Sequence, residues 1–466
     1  MFCRLLKGTT DIWNIYRVMS NKSYPGFLLD SSMVDENLGR YSFAGWRPEA
    51  ILRSKGNQIE YKENDKWTNW EGDPLKALEE VRKKHGKKMD AISECPFPFS
   101  GGLVGYISYD MKKNIEILKE QCQDDLDMYE QYWGLYDSFV VADHFEEKVW
   151  VVAYAKDKAI EMEKEIYQAL RSRNQSLEID ASWQIGEVRA NFTRQDYLEA
   201  IKKVKEHIRR GDIYQANLTQ RFSFEFAGSS HKFYDVLRKI SPGYFGAFLH
   251  FDEYDILSIS PERYIKITGS DIETRPIKGT RARGRNRDED RLLASELQKS
   301  EKDQAELLMI VDLERNDLGR ICQAGSIKVK DLFNITSYAT VFHLDAVVSG
   351  KLRADIGIDE ILRQTFPGGS ITGAPKIMAM NIIEELEPTA RGVYTGSIGY
   401  INCQGDCDLS IAIRTAVMKD NYCYYQAGGG LISDSDPEAE YEETLDKARA
   451  LFMAREEVLR FADYQR

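Results

Sequence analysis

Between residues 214 and 226 the side chains alternate. Tyr214, Ala216, Leu218, Phe222, Phe224 and Phe226 fall on one side of an extended chain, and Gln215, Asn217, Thr219, Arg221, Ser223 and Glu225 on the other. That two-residue period predicts a strand with one mainly apolar and one polar face. The segment before it has a helical period: Tyr197, Ile201, Val204 and Ile208 share a face, Thr193 stands where an N-cap is needed and Gly211 ends the pattern. Further strands are predicted near 394–403, 408–418 and 421–427. Their connections, Gln404-Gly405-Asp406 and Lys419-Asp420-Asn421, are short enough to imply antiparallel pairing. Earlier in the chain, Ser138-Phe139-Val140-Val141 and Val149-Trp150-Val151-Val152-Ala153-Tyr154 read as a hairpin. A helix over 157–173 follows, with Ile160, Tyr167 and Leu170 on one face. The polar run Arg171-Ser172-Arg173-Asn174-Gln175-Ser176 then marks a boundary between a region 1–185 and a region 190–462. With no internal repeat, the expected class is α+β, an antiparallel β-sandwich core flanked by helices.

Composition narrows the function. The 466 residues, 42% hydrophobic and 30% charged, suffice for a large core or two merged ones. Against 63 Lys and Arg stand 75 Asp and Glu, a net charge of -12. Such a surface repels nucleic acid and anionic membrane, so neither is an expected partner, and an anionic substrate requires a local cationic site. The seven cysteines form no regular framework, and Cys403 with Cys407 lacks a second pair at zinc-site spacing. Neither an apolar leader at the N-terminus nor a run near the ~18 apolar residues of a membrane span is present, so the expected location is cytoplasmic.

Several segments carry candidate chemistry, each with an ordinary alternative. A helix opening after Asp436-Pro437 places Glu440, Glu443 and Lys447 on one face. A second, capped by Ser300, places Asp303 and Glu306 three residues apart near its start. First-turn acids and surface ion pairs explain either one alone. Were both N-termini to face one another, their carboxylates would make an oxygen-rich site for Mg2+. The small-residue runs Phe366-Pro367-Gly368-Gly369-Ser370-Ile371-Thr372-Gly373-Ala374-Pro375-Lys376 and Ala427-Gly428-Gly429-Gly430 suit either tight turns or close approach of backbone N–H groups to an anion. Lys278 lies in Thr274-Arg275-Pro276-Ile277-Lys278-Gly279-Thr280-Arg281, off any predicted helix, and acts as a nucleophile only if its pKa is lowered. Arg414 falls in the strand-like run 409–415 on the side of Ser410 and Ala412, as for carboxylate recognition or a buried ion pair. His343 is alone among the six histidines in an apolar β-like run, 338–344, where a core histidine is the commoner case.

Taken in order, these motifs resemble the chorismate-utilising family that includes component I of anthranilate synthase, aminodeoxychorismate synthase and the isochorismate synthases. The likeness is densest in Gly211-Asp212-Ile213-Tyr214-Gln215, Ser260-Pro261-Glu262, 310–317, Gly373-Ala374-Pro375-Lys376, Ile413-Arg414-Thr415 and Glu440-Tyr441-Glu442-Glu443-Thr444. It implies an anthranilate synthase component I-like fold and a Mg2+ ion held directly by Glu306 and Glu443. Asp303, where the family usually has glutamate, and Glu440 would stand behind them through water. Substrate contacts are implied for Gln215, Thr280, His343, Tyr394, Arg414, the backbone of Gly430 and Lys447, with Glu262 as general acid. Gln215 replaces the lysine that activates water in isochorismate synthases, which favours ammonia as nucleophile. Pro276-Ile277-Lys278-Gly279-Thr280 is similar to aminodeoxychorismate synthases, where anthranilate synthases have alanine at the lysine position. The implied reaction is attack of Lys278 at C2 of chorismate, loss of the C4 hydroxyl, and displacement of the lysine by ammonia at C4.

No segment resembles a glutaminase, so the resemblance implies a separate glutamine amidotransferase subunit as partner and source of ammonia. No extension resembles a pyruvate lyase, so the amino product is expected to leave as such. Leu28-Leu29-Asp30-Ser31 and Gly39-Arg40-Tyr41-Ser42-Phe43-Ala44-Gly45, with Ser241-Pro242-Gly243-Tyr244-Phe245, resemble the family's regulatory amino-acid pocket. Asp30, Ser31, Tyr41, Pro242 and Tyr244 would line it. Asp30 stands for the usual glutamate, and strong feedback inhibition is not expected.

Overall fold

The computed structural model describes residues 1–464 apart from 10, 21–23, 37, 90–94, 174–182 and 339–340. The second half of the boundary run that ends at Ser176, and Ala339-Thr340 before His343, lie outside the described residues.

Two large sheets carry the core, and every strand pairing within them is antiparallel. The first passes from Phe2–Leu6 through Lys148–Ala153, Ser138–Asp143, Tyr41–Trp46, Gly26–Asp30, Phe245–His250, Tyr254–Ser260, Thr415–Lys419 and Tyr422–Leu431 to Gln215–Ala227. The second passes from Ile277–Ala282 through Val341–Lys351, Asp271–Arg275, Arg263–Thr268, Cys407–Ile411, Ser397–Asn402, Gly102–Ile107, Gln131–Tyr136 and Ala50–Lys55 to Gln58–Glu63 and Lys66–Glu71. Each sheet therefore draws strands from both sides of residue 185. The predicted α+β class with helices flanking antiparallel sheet is the architecture found. No helix among the described residues is long and apolar enough to cross a membrane.

Local expectations translate into specific contacts. Thr193 caps Arg194–Arg210 by accepting the Asp196 N–H, and Gly211 ends that helix at φ 80°. Ser300 caps Glu301–Ile321 by accepting the Asp303 N–H at 3.3 Å. The hairpin pairs Val141 with Trp150.

Three readings need correction. The polar face of Gln215–Ala227 is covered over its first part, where Gln215, Asn217, Thr219 and Arg221 are buried, and open at Glu225, while Tyr214, assigned to the apolar face, is 72% exposed. A second layer covers the polar side, and alternation alone does not say what covers it. Residues 408–418 are not one strand. Cys407–Ile411 belongs to the second sheet and Thr415–Lys419 to the first, with Arg414 between them at φ 50° rather than in a strand.

That break is paired with another. Tyr254–Ser260 lies beside Thr415–Lys419 in the first sheet, and Arg263–Thr268 beside Cys407–Ile411 in the second. An antiparallel two-strand ribbon thus bends from one sheet to the other, as at the corners of sandwiches. Pro261 and Glu262 sit at the bend of one strand, Ala412 to Arg414 at the bend of its neighbour.

Candidate active site

The bend places Glu262 in a dry setting. Ser260 accepts the Glu262 N–H at 3.2 Å, and the Ile411 N–H donates to the Glu262 carbonyl at 3.0 Å. The carboxyl itself is buried, and its Oε1 has no hydrogen-bond partner among the described residues. Burial pushes its pKa up to about 7, against the pull of Ser370 and Lys278.

Lys278 reaches the same space from the second sheet. Ile277–Ala282 pairs with Val341–Lys351, but the register slips between Lys278 and Thr280, leaving Gly279 as a bulge at φ 72°. A Cβ on Gly279 would meet Oδ1 of Asp303 at 2.9 Å. The bulge therefore lets the start of Glu301–Ile321 pack against the strand. The Lys278 amine lies beside Gly430, where a Cβ would be 3.1 Å from Nζ and 2.6 Å from Nε2 of Gln215. Desolvation lowers the lysine's pKa; Glu306 opposes this and Lys447 reinforces it. Both amide atoms of Gln215 are buried without partners.

The final helix, Pro437–Tyr464, crosses the glycine run of Tyr422–Leu431. A Cβ on Gly429 would lie 3.0 Å from Oε2 of Glu440 and 3.5 Å from Oε1 of Glu443. Lys447 bonds Glu443 at 2.7 Å and the Gly428 carbonyl at 2.7 Å. Burial pushes the carboxyls of Glu306 and Glu440 up. It does so at Glu443 too, but there Lys447, Lys278 and Lys302 together outweigh it and the net shift is down. The charges of Glu306 and Glu443 act on one another and on Lys278, which puts one carboxylate from each helix within electrostatic reach of the lysine. They form no closed cage: among the described residues no three Asp, Glu, His or Cys side chains are gathered into a cation site. Asp303 is instead engaged by Arg281 at 3.0 Å. The donor set, carboxylates from two helix starts, is of the oxygen type that a hard dication such as Mg2+ takes, completed by water.

His343 and Thr280 meet at 3.0 Å between Nδ1 and Oγ1, and Nε2 of the histidine is buried without a partner. Burial, then Arg414, lowers its pKa to about 3, so the ring is neutral. Arg414 has no carboxylate within ion-pair distance among the described residues, which leaves an uncompensated cation beside that neutral ring. Tyr394 is buried near Arg391, sharing a small cavity with Thr415 and Gln426.

Sequence reasoning passed over two parts of this cluster. Ser370, whose buried hydroxyl has no partner, stands beside Glu262. Its loop is held by Glu314, which accepts the Gly369 N–H at 3.1 Å. Arg281, next to the quoted Lys278-Gly279-Thr280, was visible in sequence, but its pairing with Asp303 was not.

The fold and cluster together invite comparison. Residues 27–453 match the family described as chorismate binding enzyme. The chain belongs to the chorismate-binding enzymes. It is 38% identical over 470 residues to anthranilate synthase component 1 of Aquifex aeolicus, covering 97% of this chain and 94% of that one. Over 435 residues it is also 38% identical to aminodeoxychorismate synthase component 1 of Bacillus subtilis, covering 90% and 91%. The crystal structure of anthranilate synthase component I from Streptococcus pneumoniae superimposes with a TM-score of 0.78 at 30% identity, over 96% of this chain and 98% of that one.

The chain of this chorismate-binding enzyme has a second hollow, walled in part by Arg263, the neighbour of Glu262. A cavity of about 240 Å³ is walled by Asp30, Ser31, Tyr41 and Tyr244, but not by Pro242. Asp30 is already bound by Arg238 at 2.7 and 2.9 Å and by the Tyr234 hydroxyl at 3.2 Å.

Proposed function

We propose that this chorismate-binding enzyme is the aminating component of an aminodeoxychorismate synthase, converting chorismate and ammonia to 4-amino-4-deoxychorismate, a precursor of 4-aminobenzoate and folate. The observation that carries the reading is Lys278: a half-buried lysine whose pKa desolvation lowers, its amine beside Gly430 and Gln215, with Glu262, whose pKa stands at about 7, acting on its charge. Glu306 and Glu443 would hold Mg2+, with Asp303 and Glu440 behind them, and the ion supplies positive charge for the ring carboxylate of chorismate. Arg414, Tyr394, Lys447 and the backbone of Gly430 bind and orient the dianion, while neutral His343 with Thr280 bonds its polar groups.

The neutral lysine amine attacks C2, the ring double bonds shift, and the C4 hydroxyl leaves as water with the proton of Glu262. Ammonia attacks C4, the double bonds shift back, and the bond between C2 and the lysine breaks. The proton that ammonia sheds returns to Glu262, so the balance is chorismate plus ammonia to amino product plus water. Ammonia comes from a separate glutamine amidotransferase subunit, a role supported by the component 1 names of the relatives. The cavity at Tyr244 suits an amino-acid-sized ligand; with Asp30 engaged by Arg238, feedback through it is weak.

A second reading, amination at C2 to anthranilate, is favoured by the equal identity to the Aquifex relative. Purified chain with chorismate, an ammonium salt and Mg2+ separates them: the 4-amino product is expected by mass and chromatography, and fluorescent anthranilate as the main product would replace the first reading by the second.

A further inference from the structure

One residue joins the cavity wall to the catalytic cluster. The ring of Tyr244, in that wall, packs on Tyr338 with centroids 5.0 Å apart. Tyr338 is buried and meets the ring of His343 edge-on, centroids 4.9 Å apart at 80°. Its hydroxyl donates to the carbonyl of Pro261 at 2.9 Å. Its backbone is held on both sides, by its own N–H to Val341 and by Arg283 to its carbonyl, each at 2.8 Å.

Those contacts matter because of what Pro261 carries. In the Ser260-Pro261-Glu262 bend, Ser260 takes the Glu262 N–H and the Ile411 N–H takes the Glu262 carbonyl. The Pro261 carbonyl is bonded by Tyr338, from outside that strand pair. Around the Glu262 carboxyl stand the Ser370 hydroxyl and the Ile277 N–H, while its Oε1 has no hydrogen-bond partner among the described residues, so the position of the bend helps set the carboxyl's aim. One phenol therefore fixes the bend under the proposed acid and one face of the proposed substrate-binding histidine.

We propose that Tyr338 is a positioning residue for the amination, holding Glu262 and His343 as one unit braced against Tyr244 in the cavity wall. The inference rests on the chorismate-amination reading above. A tyrosine that merely filled the core would affect stability alone. A positioning tyrosine must affect the reaction in folded protein, since a misplacement of about 1 Å at a catalytic group costs up to ~100-fold.

Tyr338→Phe keeps the ring and removes only the hydroxyl, and Tyr244→Leu removes the brace while leaving the cluster's own residues intact. Both are compared with the wild-type chain for chorismate consumption with saturating ammonium and Mg2+, well below each protein's unfolding temperature. For Tyr338→Phe the expected result is a kcat about tenfold lower with KM for chorismate within about twofold. The alkaline limb of its pH profile should also shift, although Lys278, Lys447 and Glu314, whose charges act on Glu262, are unchanged. Tyr244→Leu should move kcat the same way by about threefold. A Tyr338→Phe enzyme with wild-type kcat and pH profile beside an active wild type overturns the positioning role and spares the reaction. A wild type that leaves chorismate untouched overturns the reaction, and the role with it.

Discussion

Gly430 and Lys278 touch across the two sheets: a Cβ on the glycine would stand 3.1 Å from the lysine amine, and 2.6 Å from the amide nitrogen of Gln215. Both obstructed groups are ends of flexible side chains, so the fold can absorb a methyl group while the cluster cannot keep its arrangement. Gly430→Ala is expected to unfold within about 3 °C of the parent yet turn over chorismate at least about tenfold more slowly. A variant of parental activity would show that Lys278 and Gln215 need not occupy these positions.

Glu262 sets a pH dependence whose sign is fixed by burial. Its pKa rises from 4.5 to about 7 on folding, so the acid form persists to near neutrality and activity should fall as pH climbs through about 7. The same shift bears on stability. The folded state holds a proton that the unfolded state has released, so the contribution is fully present below about pH 4.5 and lost as pH rises through about 7, on the order of 3 kcal/mol. Glu262→Gln should flatten that part of the stability curve and abolish the alkaline limb at much lower turnover. Unfolding by denaturant at pH 5, 6, 7 and 8 checks the first; a limb that survives in the glutamine variant belongs to another group.

The proposed metal carboxylates predict unequal losses at three glutamates on two helices. Glu306 and Glu443 act on Lys278 electrostatically, whereas Glu442, exposed like its neighbour Glu443, lies outside that set. Glu306→Gln or Glu443→Gln should raise the Mg2+ concentration for half-maximal activity at least about tenfold, the scale of loss at a metal site. Glu442→Gln should leave it within about twofold. Titration of activity with Mg2+ decides this, and equal shifts at all three positions would remove the case for a specific site.

How far the sequence reaches is clear from where its readings stop. Caps and periods report local preferences, and Thr193, Gly211 and Ser300 end their helices where expected. The strand from Gln215 was legible too, but its polar face looked like a solvated one, because an active site and bulk water leave the same alternation. At Arg414 the apolar run continues while the strand does not. The bend belongs to a ribbon changing sheets, and its partner is 150 residues away at Pro261 and Glu262. The engagement of Asp303 by Arg281 and of Asp30 by Arg238 is likewise long-range, so each acid looked more available in sequence than it is.

Lys278 carries the choice between amination at C4 and at C2, and it yields a prediction in two parts. If its amine attacks C2, chorismate supplied without ammonia should accumulate on the enzyme as an adduct short of simple addition by one water, since the C4 hydroxyl has left. Peptide mass spectrometry after a denaturing quench should find that mass on the peptide containing Lys278. With Lys278→Ala, C2 is open and ammonia can attack there directly, so residual product should shift toward the 2-amino isomer, read by chromatography and by anthranilate fluorescence. A lysine acting by charge alone, steadying the departing hydroxyl, gives another pair of results: no adduct, and an unchanged 4-amino product from the alanine variant. The lowered pKa of this amine favours the first pair, because only the uncharged form can bond to carbon, and a charge-only role would require the proton that desolvation disfavours.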